Sequence, residues 1–72
     1  MEIRQLQSLL KLIDCNFSVS KAADEMFLVQ SAVSQDLKKL EDELGADLFV
    51  RKGKRLIALT DTGSEVVKHA RQ

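Results

Sequence analysis

Proline is absent from the 72 residues, so no ring interrupts a helix, and only three glycines punctuate the chain. One cysteine, Cys15, excludes an internal disulfide, and one histidine, His69, leaves no cluster of metal ligands. Net charge is missing too: 11 Lys and Arg stand against 11 Asp and Glu. Any affinity for a polyanion must therefore be local. No apolar run approaches the roughly 20 residues that cross a bilayer. The opening MEIRQLQSLLKLID carries charges through its apolar stretch and lacks the small-residue cleavage site of a secretory signal. A reducing cytoplasm is the expected compartment. His69 has no Ser, Cys or Asp arranged beside it for catalysis, so the chain reads as no enzyme and as needing no cofactor.

What is present is a folded composition, 44% hydrophobic and 31% charged. The length suits one domain. A chain this short buries only about 60% of its unfolded surface, so it is expected to lean on a partner or to be a piece of something longer.

Apolar residues at Ile3, Leu6, Leu10 and Ile13, with Leu9 and Leu12 beside them, predict a first helix with a broad buried face. Asn16 and Phe17 break it, and Ser18 is placed to cap a second helix carrying Val19, Ala22, Ala23 and Met26. After the short break Phe27-Leu28-Val29, a third helix begins near Gln30, with Val33, Leu37, Leu40 and Leu44 inward and Gly45 as a left-handed cap. Residues 48–51 and 56–59 are strand candidates around the turn Lys52-Gly53-Lys54-Arg55. Thr60 can cap a fourth helix with Val66, Val67 and Ala70 on one side. The order is that of a mainly α winged helix-turn-helix: a three-helix core, with the motif at about 19–38, and a two-stranded β-hairpin wing at about 48–59. Any small bundle with an αα-hairpin shows the same periodicity, so this pattern alone leaves DNA binding open.

Charge is unevenly spread. Residues 51–56 carry four basic and no acidic groups, whereas residues 27–50 carry two basic and five acidic. On the third helix the face opposite Val33 and Leu37 holds Ser31, Gln35 and Lys38, with Ser34 beside it, and Glu41-Asp42-Glu43 crowd its far end. Acid there opposes the helix dipole and repels phosphate, while amides and hydroxyls at the near end suit base edges and phosphates. The candidate contacts to double-stranded DNA are therefore Gln30, Ser31, Ser34, Gln35 and Lys38 from the helix, and Arg51, Lys52, Lys54 and Arg55 from the wing. The alternative readings are a solvated hairpin tip, a polar helix face, and a small protein-interaction module using the first and last helices. Cys15 reads as a small core or boundary residue and His69 as exposed.

The stretch SVSKAADEMFLVQSAVSQDLKKLEDELGADLFVRKGKRLIALTDTG resembles the N-terminal domain of LysR-type transcriptional regulators. Ala22-Ala23, the run Gln30, Ala32, Val33 and Ser34, then Leu40, Glu41, Leu44 and Gly45, Leu48, Phe49 and Arg51, and finally Leu59, Thr60 and Gly63 carry the likeness in order and spacing. EDELG and RKGKRL are similar to the subgroup controlling sulfur assimilation and cysteine synthesis. The resemblance implies a DNA-binding domain over residues 1–59, and the start of a linker helix over 60–72 through which copies form a homodimer or higher oligomer on dyad-related half-sites. It also implies a small-molecule effector bound by a C-terminal domain outside these residues, and no membrane role. Val29 stands where the family has Ser, and Ser31 where it has Pro. The expectation is therefore a recognition helix starting one or two residues later, capped by Ser31.

Overall fold

The computed structural model describes residues 2–53 and 55–71. Helix α1 (Ile3–Asp14) opens with the Glu2 N–H donating to the Gln5 side chain at 3.1 Å. Its buried face is centred on Gln5, Ser8, Leu9 and Leu12. Leu6 and Ile13 flank the core, but Ile3 is 75% exposed, so the expected inward stripe is rotated. On that buried side Ser8 donates across the core to Asp36 at 2.9 Å, while Gln5 closes the helix's own cap.

α1 stops without glycine. Asn16 and Phe17 take φ of 55° and 66°, and their N–H groups donate to the Ile13 and Leu12 carbonyls at 3.0 and 2.8 Å. This is the paired closure of a Schellman motif. It turns Phe17 onto the core, where its ring meets Phe49 edge-on, centroids 6.5 Å apart.

Helix α2 (Val19–Met26) is capped as expected: Ser18 Oγ accepts from the Lys21 N–H at 3.3 Å. Ala22 and Ala23 are buried and let α2 approach its neighbours closely. The same closure recurs at its end, with the Phe27 and Leu28 N–H groups donating to the Asp24 and Ala23 carbonyls. Phe27 sits at φ 57° with its side chain 95% exposed. A bulky residue there costs about 1–2 kcal/mol with no burial to offset it. Phe27→Gly is expected to stabilise the domain by about 0.5–1 kcal/mol after the extra chain entropy of glycine. That corresponds to several degrees in Tm. A thermal melt checks it, and a lowered Tm would contradict the strain assigned here.

Helix α3 (Gln30–Leu44) begins where the periodicity places it, near Gln30, and corrects the later start with Ser31 as cap. Val29 is the N-cap, without a side-chain cap bond, and Ser31 lies inside the first turn. The backbone decides this. Val29 is already extended, at φ −78° and ψ 154°, and its carbonyl accepts from the Ala32 and Val33 N–H groups at 3.0 and 3.4 Å. Val33, Leu37 and Leu40 face the core as expected; Leu44 is 37% exposed, because the Gly45 cap at φ 66° turns the chain away beyond the last core layer.

Strands β1 (Phe49–Lys52) and β2 (Arg55–Leu59) pair antiparallel, from Phe49↔Leu59 to Lys52↔Arg55. Both reach one residue nearer the tip than expected, because Lys52 and Arg55 pair rather than belong to the turn. Gly53 takes φ 62° there. An irregularity after Val50 leaves Ile57 outside the paired register and 48% exposed.

Helix α4 (Asp61–Ala70) begins at Thr60, whose Oγ1 accepts from the Gly63 N–H at 3.0 Å and donates to the Asp47 carbonyl at 2.6 Å. The Thr60 N–H also donates to the Leu48 carbonyl at 3.0 Å. Val66 and Val67 pack against the core, and Arg71 pairs with Asp14 of α1 at 2.8 Å. Among the described residues, no helix is long and apolar enough to cross a membrane.

Candidate nucleic-acid interface

Helix α3 is positioned by two carboxylates on its inner side. Asp36, 2% exposed, accepts from Arg4 Nε and Nη2 at 3.0 and 2.8 Å and from Ser8 Oγ at 2.9 Å. Burial alone would push this carboxyl up. The hydrogen bonds from Arg4 and Ser8, with the Arg4 charge, outweigh burial and hold it below the ordinary aspartate value. Glu41, 8% exposed, accepts from the Leu48 N–H at 2.8 Å and from Arg51 Nη2 at 2.9 Å. Burial again opposes the charge, and Arg51 together with the Leu48 N–H again wins, leaving Glu41 below its ordinary value. Asp36 thus ties α3 to α1, and Glu41 ties α3 to the root of the wing. The sequence groups Glu41 with Asp42 and Glu43 at the far end of the helix; the structure sets it apart as a buried strut.

With its inner side fixed, α3 presents Gln30, Ser31, Ser34, Gln35 and Lys38 to solvent, all exposed. Lys52 and Arg55 are exposed across from each other at the end of the hairpin. Lys54 lies outside the described residues. Arg51 is less available than its neighbours: its guanidinium grips Glu41 and its side chain is 43% exposed. One open groove between α3 and the wing is lined by Ser34, Lys38, Arg51 and Leu56, together with Glu41 and Asp42. Of the candidates, this groove brings together Ser34, Lys38 and Arg51, the last as part of a strut, while Arg55 lines a neighbouring groove with Ser18 and Val19.

Cys15 is buried, and its thiol donates to Glu25 at 3.0 Å. That bond, then burial, raises the thiol above its ordinary value. The shift disfavours the thiolate, the reactive form.

A three-helix core with a helix-turn-helix, a two-stranded wing and a fourth helix docked beside it defines a winged helix-turn-helix domain. The family described as bacterial regulatory helix-turn-helix protein, lysR family, matches residues 3–64. The chain belongs to the LysR family. It is 59% identical over 70 residues to the transcriptional regulator CysB of Thiocapsa roseopersicina, covering 97% of this chain and 52% of that protein. It is 41% identical over 66 residues to the regulator SsuR of Burkholderia cenocepacia, covering 92% of this chain and 21% of that one. Both relatives are transcriptional regulators. The DNA-binding domain of BenM, solved in complex with catB site 1 DNA, matches with TM-score 0.87 and 32% identity, over 99% of this chain and 74% of that one. The chain thus spans about half the length of the CysB relative and about a fifth of SsuR.

Proposed function

We propose that the chain binds double-stranded DNA sequence-specifically, as the N-terminal domain of a LysR-type transcriptional regulator. The observation that carries the reading is the groove in which Ser34 and Lys38 of α3 meet Arg51 at the root of the wing. Residues 1–59 are the binding domain. Gln30, Ser31, Ser34 and Gln35 read base edges in the major groove, while Lys38, Lys52, Lys54 and Arg55 meet phosphates or the minor groove. Arg51 is assigned a backbone contact made from its Glu41 pairing. Residues 60–72 open a linker helix that joins two copies over dyad-related half-sites. The apolar groove formed by Leu6, Val66 and Ala70 supports this, since it leaves room for a partner's helix beside α4. A small-molecule effector is assigned to a further domain of the whole regulator, working in the cytoplasm.

The test separates helix from wing. Lys52→Ala is expected to weaken preferred and scrambled duplexes alike, and to make the plot of log affinity against log salt shallower by about 0.9, one phosphate contact. Gln35→Ala is expected to cost about 1–3 kcal/mol on the preferred duplex and to leave scrambled binding nearly intact. Fluorescence anisotropy over a salt series reads both. Reversed effects would overturn the docking, and no binding even at low salt would end the DNA reading.

A further inference from the structure

We propose that Val29 reads the methyl group of a thymine at the edge of the half-site, an inference that rests on the DNA-binding reading above. Val29 occupies the N-cap of α3, where Ser, Thr, Asp or Asn would satisfy an orphan amide. The chain forgoes that cap. It places there an aliphatic side chain that is 68% exposed and so contributes little to the core. A position that breaks a local stability rule without a compensating contact inside the fold points to a contact outside it.

Its surroundings say what that contact is. Val29 adjoins Gln30 and Ser31 at the tip of α3, the end that enters the major groove in helix-turn-helix docking. The groove edge offers hydrogen-bonding groups and one apolar feature, the thymine C5-methyl. The amide of Gln30 and the hydroxyl of Ser31 match the former. The two methyl groups of Val29 match only the latter. Val29 cannot hydrogen-bond a phosphate through its side chain, which removes the other contact open to an N-cap residue. The tip is thus a mixed reading head, polar at 30 and 31 and apolar at 29.

The experiment uses a preferred duplex selected from a random pool with this chain. Each thymine is replaced in turn by deoxyuridine, which deletes the methyl and keeps every hydrogen-bonding group. At one position the affinity is expected to fall about four-fold, the equivalent of one buried methyl group. In Val29→Ser the same replacement is expected to change nothing. Val29→Ser also restores an N-cap hydroxyl, so its Tm is expected to rise while its thymine preference disappears. A merely structural Val29 cannot give that opposed pair of results. If the chain selects a preferred duplex but no thymine methyl matters, or if Val29→Ser retains the same methyl dependence, the inference is wrong and the DNA reading survives. If no duplex is preferred over scrambled DNA, both fall together.

Discussion

Gly63→Ala is expected to leave the domain largely unfolded at 37 °C. A Cβ built on Gly63 falls on the Leu48 carbonyl oxygen, well inside contact distance, and lies 3.0 Å from the Leu48 carbonyl carbon and 3.1 Å from Leu59 Cδ2. Neither side can yield cheaply. The Leu48 carbonyl holds the Thr60 N–H, and Gly63 itself is pinned to Thr60 Oγ1. Relief means moving the start of α4 off the wing. Overpacking of this kind costs about 3 kcal/mol or more, against the roughly 3–5 kcal/mol that a core of this size supplies. Gly45→Ala is the comparison, because nothing lies within 4 Å of that Cβ and only its φ of 66° is strained. It is expected to cost about 1 kcal/mol. Urea titrations followed by circular dichroism rank the two. Equal midpoints, or a Gly63→Ala midpoint near the parent's, would refute close approach as the reason for glycine.

Glu41→Ala is expected to destabilise the domain by about 2–3 kcal/mol, since it orphans the buried Leu48 N–H and a charge-assisted bond is lost. The exposed flank of Arg51 moderates the electrostatic part. Glu41→Gln keeps an acceptor for the Leu48 N–H and is expected to cost about half as much. Acid should reproduce the loss. Asp36 and Glu41 both titrate lower in the folded chain than in the unfolded one. The stability they contribute is therefore complete above ordinary carboxylate values, and is lost as pH falls through the lowered ones. Denaturation from pH 7 to pH 3 is expected to show a steep acid limb in the parent and a shallower one in Glu41→Gln. Identical limbs would mean that the Glu41 charge contributes nothing.

Much of this was legible in the residues. Ser18, Gly45, Gly53 and Thr60 each mark a boundary by local chemistry, a hydroxyl for an orphan amide or a backbone free to take positive φ. The exposed candidates on α3 follow from helical rotation alone. What escaped depends on partners far along the chain. Asp36 and Glu41 lie in the same i, i+3, i+4 series as Val33, Leu37 and Leu40, a signal that they face inward. Their partners, however, are Arg4, Ser8, Leu48 and Arg51, and no local rule brings those together. The breaks at Asn16-Phe17 and Phe27 were legible in the pattern, but the left-handed backbone of the two phenylalanines was not, because positive φ is rare for a bulky residue.

The buried thiol of Cys15 has a practical consequence. With one cysteine in the chain, and that one 8% exposed and bonded to Glu25 of the neighbouring helix, a thiol-reactive dye has a single target, reached when the α1–α2 corner opens. Where reclosing outpaces labelling, the rate reports the opening equilibrium of that corner directly. The domain carries its own clock for local unfolding, read without adding a probe, and adding duplex DNA should slow it if binding clamps the two helices together.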